Sequence, residues 1–212
     1  DSRDEAKAGN AIHVWKADGI LISFNEVIGH RDGIYFEFVN NSIIMGNTSR
    51  NNLRYGLHFM FSNDDRYEGN RFEHNGAGVA VMFSKRIIMK QNEFILNRGG
   101  SSYGLLLKEI SDGSLSGNIF RDNTIGIYAE GANRLQIIHN DFVSNGKALD
   151  IKGNCLDNRI DSNNFVANTF EVFTNSKQNE NSYSANYWSQ YDGYDLDRNG
   201  VGDLEYRPVN LF

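Results

Sequence analysis

Arg54-Tyr-Gly-Leu-His-Phe-Met-Phe-Ser62 is followed, a short loop later, by Gly76-Ala-Gly-Val-Ala-Val-Met-Phe-Ser84. Aligned on Gly56 and Gly78, the two stretches share the order small residue, apolar, variable, apolar, then Met-Phe-Ser, at an offset of 22. Working outward, the same tetrad recurs as Ala11-Ile-His-Val, Gly33-Ile-Tyr-Phe, Gly104-Leu-Leu-Leu, Gly126-Ile-Tyr-Ala, Ala148-Leu-Asp-Ile and, fading, Thr169-Phe-Glu-Val. A second marker keeps step: Asn25, Asn47, Asn70, Asn92, Asn118, Asn140, Asn163 and Asn186. Two residues after these come Val27, Ser49, Phe72, Phe94, Phe120, Phe142, Phe165 and Trp188; three before come Ile22, Ile44, Tyr67, Met89, Leu115, Ile137, Ile160 and Tyr183. Two markers in phase over about eight units identify a solenoid, in which each repeat buries its apolar face only against its neighbours.

Within a unit the apolar residues alternate, as in Leu57, Phe59, Phe61 and Val79, Val81, Phe83, which is the period of a half-buried strand and sets these residues inward. Each unit therefore reads as two or three short strands separated by Asn/Gly turns. Stacked in parallel, the units form an all-β, right-handed parallel β-helix of about eight 22-residue coils over residues 1–183. A leucine-rich repeat shares the period and an Asn but wants Leu inward, where this chain has Phe, Ile and Val. The Phe file predicts an aromatic column. A further Asn file (Asn52, Asn75, Asn97, Asn123, Asn145, Asn168), with His30 in its first slot, predicts side-chain amides bonding the backbone of adjacent coils. Residues 184–212, rich in aromatics and turn residues, read as a C-terminal cap. The four-residue excess between Gly78 and Gly104 places a loop at Arg98-Gly-Gly-Ser-Ser.

Composition narrows the function. A net charge of −6 speaks against a nucleic-acid partner, whose binding rests on Lys and Arg neutralising phosphates. No apolar run is long enough to span a membrane as a helix. One cysteine, Cys155, excludes an internal disulfide and reads as a small buried hydrophobe. There are 28 asparagines and one proline, as expected of many tight turns. The repeat begins almost at once and no secretory signal precedes it, so the chain is expected to be a mature or partial piece of something longer.

Coils in register lie about 4.8 Å apart, so files on the outer face bring distant residues together. One file reads His13, Tyr35, His58, Ala80, Leu106, Tyr128, Asp150; two residues on, the next reads Trp15, Glu37, Met60, Met82, Lys108, Glu130, Lys152. His58, Met60 and Met82 thus form a soft donor set of the kind that selects Cu(I), with Tyr35 or Glu37 to complete or orient it. The same residues equally suit a protein-contact patch. In the cap, Asp195, Asp197, Asn199, Val201 (through its carbonyl) and Asp203, with Gly200 at the turn, repeat the oxygen spacing of a calcium loop, although position 12 is Tyr206. A polar turn held by side-chain hydrogen bonds is the alternative. Either way the role is structural. No pair of carboxylates stands out for glycoside chemistry: Glu37 and Glu130 share a file four coils apart, and Asp64 and Asp65 are adjacent in a loop.

Several blocks resemble the NosD family, the periplasmic β-helix proteins of nitrous oxide reductase maturation. They are Gly29-His-Arg-Asp-Gly-Ile-Tyr-Phe-Glu-Phe38, Arg54 to Ser62, Asn75 to Arg86, Tyr103-Gly-Leu-Leu-Leu-Lys-Glu-Ile-Ser-Asp112, Gly126-Ile-Tyr-Ala-Glu-Gly131 and the tail from Asn186-Tyr-Trp to Tyr206-Arg-Pro208. The resemblance implies a non-enzymatic periplasmic protein that works with the ATPase and membrane subunits of an ABC transporter. It implies receipt of Cu(I) from a copper chaperone lipoprotein and its delivery for copper-site assembly in nitrous oxide reductase. His58, Met60 and Met82 fall inside the resembling blocks. Family members usually carry further coils and a secretory signal upstream, so the resemblance implies that this chain is one part of something longer. The competing reading is a carbohydrate-binding or polysaccharide-processing β-helix, with Trp15, Tyr35 and Tyr128 stacking on sugar rings.

Overall fold

The computed structural model describes residues 8–177 and 180–211, and among these it contains 25 strands and no helix. Every coil contributes one strand to each of three parallel sheets, and paired residues lie 22 to 26 apart except where the tail strand joins, Val172 pairing with Val209. The first sheet holds the long strands, including Asp32–Asn40, Tyr55–Met60, Ala77–Lys85, Tyr103–Ser111, Ile125–Glu130 and Lys147–Ile151. The other two are built from strands of two or three residues each. The right-handed parallel β-helix is the fold that the two markers specify.

The interior is filled by the files read from the sequence. Phe72, Phe94, Phe120, Phe142 and Phe165 form a buried column with ring centroids 4.6–5.6 Å apart, and Trp188 closes it 4.2 Å from Phe165. Ile44, Tyr67, Met89, Leu115, Ile137 and Ile160 line the opposite wall. The asparagines supply the polar seams. Asn92 receives the backbone N–H and the side-chain amide of Asn70 on its Oδ1, both at 3.0 Å, and donates its own amide to the Tyr67 carbonyl at 2.8 Å. The pattern repeats at Asn118, Asn140 and Asn163, and in the second file at Asn97, Asn123 and Asn145. A buried amide left unpaired would cost about 1–3 kcal/mol; here each is satisfied by the coil on either side. The small residue opening each tetrad is required by close approach: a Cβ at Gly104 would lie 2.8 Å from the Gly126 carbonyl oxygen, and one at Gly126 2.6 Å from that of Ala148.

Two expectations are corrected. Strict alternation puts Phe61 and Phe83 inward, yet both are exposed, as is Phe38. Each has a left-handed backbone (φ +50°, +53° and +55°), so the chain bulges there and one extra residue turns outward before burial resumes at Val39, Ser62 and Ser84. The three rings stack on the outer surface at 5.1 Å. The eighth tetrad is also displaced. Val172 pairs with Leu149, so the small-residue slot is filled by Glu171, not Thr169. That slot closes against backbone in inner coils, but the last coil has only the tail above it. There the Pro208 carbonyl accepts the Val172 N–H, and Val209–Leu211 adds a ninth strand to the first sheet. Burial raises the Glu171 carboxyl above its ordinary range. Within residues 184–211, Tyr187–Trp188 and Val209–Leu211 thus add strands to two different sheets.

Candidate metal centre on the outer face

Met60 pairs directly with Met82 in the first sheet, and His58 pairs with Tyr35 on one side and Ala80 on the other. Leu57 and Phe59 belong to the core, so His58 and Met60 face outward from the same strand. The structure therefore brings the two thioethers onto adjacent coils, with the imidazole two residues from one of them. His58 is nevertheless only 6% exposed, because neighbours on the same face close over it. The Tyr35 and Tyr55 rings flank it, each with its centroid at 4.9 Å, and the Tyr35 hydroxyl reaches the Met60 Sδ at 4.0 Å.

Beneath this layer lies a carboxylate that the sequence reading passed over. Asp32 is fully buried and takes a bidentate contact from Arg54, Nε to Oδ1 at 3.0 Å and Nη2 to Oδ2 at 2.7 Å. Its Oδ2 is 3.8 Å from His58 Nδ1, and Arg54 Nη2 is 3.4 Å from the same nitrogen. Burial alone raises the Asp32 carboxyl, but His58 and Arg54 together outweigh it and hold it below the usual carboxylate range. His58 Nε2, by contrast, is buried with no hydrogen-bond partner. The only signal for Asp32 in the sequence is its place just before Gly33, one coil below the tetrad that carries His58.

Among the described residues no three His, Cys, Asp or Glu side chains form a metal cluster. A metal on this face would rest on thioether and imidazole donors, a set that fits Cu(I) and not a hard divalent ion. Cys155 is buried, its thiol 3.3 Å from the Ala129 carbonyl and raised by burial, which suits packing rather than metal binding.

The far end of the same face differs. Tyr128, Glu130, Lys152, Gly153, Asn154, Asn175 and Ser176 line an open cleft of about 450 Å³. Asp150 beside it is buried and held by Lys152 at 2.7 Å and Lys147 at 2.9 Å, with Lys147 lying 3.4 Å above the Phe173 ring. Tyr128 is pushed up to about 12 by burial and by Glu130, to which its hydroxyl donates at 3.3 Å. Trp15 is exposed with Lys16 over its ring. The adjacent acids Asp64 and Asp65 part company: Asp64 pairs with Arg86 on the surface, and Asp65 is buried, accepting the Ser42 N–H at 2.8 Å.

In the cap, Asp195 accepts the N–H groups of Asn199 (3.1 Å) and Gly200 (2.9 Å), and the Gly200 bond leads in holding its carboxyl low. Asp197 accepts from Asn199, Asn199 from Val201, and Asp203 from Leu196. Gly200 has φ +84° at the turn. The oxygen donors suit a hard cation, and each also serves the turn itself.

Fold and outer face together define a parallel β-helix protein with a soft-donor patch on its long-stranded sheet. The chain belongs to the NosD family: the family model described as periplasmic copper-binding protein (NosD) matches residues 1–193. A curated relative, the probable ABC transporter binding protein NosD of Pseudomonas aeruginosa, is 44% identical over 55 residues, which is 24% of this chain and 13% of that protein. Among solved structures, the mannuronan C-5 epimerase AlgE6 A-module of Azotobacter vinelandii has a TM-score of 0.71 at 17% identity, over 80% of this chain and 52% of that one. The periplasmic alginate epimerase AlgG, as its T265N mutant, has a TM-score of 0.65 at 17% identity, over 72% and 37%. At such identities the likeness is one of fold.

Proposed function

We propose that this chain is a non-catalytic, periplasmic copper-binding module that works beside an ABC transporter, its ATPase and membrane subunits. In this reading it takes Cu(I) from a copper chaperone lipoprotein and passes it on for copper-site assembly in nitrous oxide reductase. Family membership supports copper and the periplasm, and the name of the Pseudomonas relative supports the transporter. The observation that carries the site is the dry, unpartnered His58 Nε2 on the face where Met60 and Met82 are register partners. Two thioethers and one imidazole leave coordination positions open, as exchange between carriers requires. Competition with a Cu(I) chelator tests this. Wild type is expected to hold Cu(I) at least tenfold more tightly than Met60→Ala/Met82→Ala, and equal affinities would remove the trio.

One observation favours a second reading, saccharide binding: the cleft at Tyr128 offers an aromatic ring, a carboxylate, an ammonium and two amides together. Titrating neutral and acidic oligosaccharides while following the Tyr128 ring signals tests it; unmoved signals dispose of it. The cap loop at Asp195–Asp203 is assigned a structural cation, calcium by its donors.

A further inference from the structure

We infer that Asp32 is the positioning residue of the copper face, selecting the His58 tautomer in which Nε2 carries the free lone pair. The inference rests on the copper reading above and concerns which nitrogen of His58 is offered to the metal. His58 Nδ1 has two polar neighbours that demand opposite roles. The Arg54 guanidinium, 3.4 Å away through Nη2, can only donate. The Asp32 carboxylate, 3.8 Å away through Oδ2, can only accept.

If Nδ1 accepts from Arg54, a neutral ring carries its hydrogen on Nε2, which is buried and has no acceptor. An orphaned buried N–H costs about 1–3 kcal/mol and is rarer in folded proteins than an under-used acceptor. If Nδ1–H faces Asp32, that N–H points at a buried carboxylate 3.8 Å away, an electrostatic contact longer than a hydrogen bond, and Nε2 is left as a bare donor atom, the form a metal binds. Arg54 gains little from the first arrangement, since it already holds both Asp32 oxygens at 2.7 and 3.0 Å. Those two bonds also lock the carboxylate in place. The Tyr35 and Tyr55 rings then fix the plane of the imidazole. Arg54 and His58 share one coil and Asp32 lies on the coil before it, so the arrangement exists only when those two coils stack.

The experiment is long-range proton–nitrogen NMR of the His58 ring in the metal-free chain at fixed pH, alongside chelator competition for Cu(I). In wild type the ring is expected in the Nδ1–H form. Asp32→Asn is expected to lose that preference and to bind Cu(I) 10–100-fold more weakly. Adding His58→Ala to Asp32→Asn should cost nothing further. Arg54→Lys keeps a cation beside Asp32 but removes the fork, so it keeps the proposal testable if Asp32→Asn does not fold; it should retain the Nδ1–H form. An Nε2–H ring in wild type would overturn the inference, as would unchanged Cu(I) affinity in Asp32→Asn when His58→Ala alone weakens it. Unchanged affinity in His58→Ala strikes the copper reading instead, and the NMR result still stands or falls by itself.

Discussion

The two ends of the first sheet's outer face share one backbone and carry opposite chemistry. Near the N-terminus, positions 35, 58 and 80 hold Tyr, His and Ala, with Glu, Met and Met two residues on; near the C-terminus, positions 128, 150 and 173 hold Tyr, Asp and Phe, with Glu, Lys and Asn two residues on. At the polar end the buried Asp150 is satisfied by two lysines. At the soft end the buried His58 keeps one nitrogen unmatched, beside thioethers and three stacked phenylalanines held outward by left-handed bulges. The same left-handed bulge recurs at Lys16, Glu109 and Gly131, so it belongs to the coil, and only the side chain placed on it differs between the ends. The contrast is between a buried charge already matched by its neighbours and a buried nitrogen left without a partner.

The comparison can be strained most by attacking what the two ends share. Phe120→Ala opens the aromatic column between them and is expected to lower stability by about 3–5 kcal/mol in urea unfolding. The Cu(I) affinity of the folded fraction should be unchanged, because Phe120 lies inside and the donors outside. A loss below about 1 kcal/mol would mean that the ends do not stand on a common core.

Next in size is a difference between equivalent slots. Asp65, at the corner beside the soft end, occupies the position that Asn158 fills near the polar end, where the amide donates to the Ala132 carbonyl at 2.8 Å. Burial pushes the Asp65 carboxyl up to about 7 from an ordinary 3.8. Between those values the folded chain holds a proton that the unfolded chain has released. This contribution to stability is therefore greatest below about pH 4 and is lost as pH rises to about 7. Asp65→Asn should flatten the dependence and gain roughly 2–4 kcal/mol at pH 8. Melting curves across pH 4–8 check it, and an unaltered slope would refute it.

A smaller effect separates the ends directly. Met60→Ala/Met82→Ala should weaken Cu(I) at least tenfold, about 1.4 kcal/mol, while Tyr128→Ala/Lys152→Ala should leave it alone. The reverse would move the copper site to the polar end. Smallest is the cap: if Asp195–Asp203 binds calcium, EGTA should lower the melting temperature by about 2–4 °C, as loss of roughly 1 kcal/mol of native-state binding would. No shift leaves the loop a hydrogen-bonded turn.

The architecture was legible because an in-register solenoid converts sequence spacing into spatial neighbourhood. Asn70 bonds Asn92 and Met60 meets Met82 for the same reason, a coil of about 22 residues. Less legible was whatever breaks two-residue alternation. Phe61 reads as core until one left-handed residue turns it out, and Phe is not a residue whose identity announces that conformation. The slip at Glu171 was hidden because the tetrad at Thr169 matched too weakly to fix register against the tail.

Sequence alone determined the repeat, the files and the soft donors that share a face, since each depends only on period and on side-chain polarity. Tertiary structure decided which outward residues became dry and which charge met them. Burial of His58 arises from side chains of two coils leaning over it, and Asp32 joins Arg54 beside it only when those two successive coils stack.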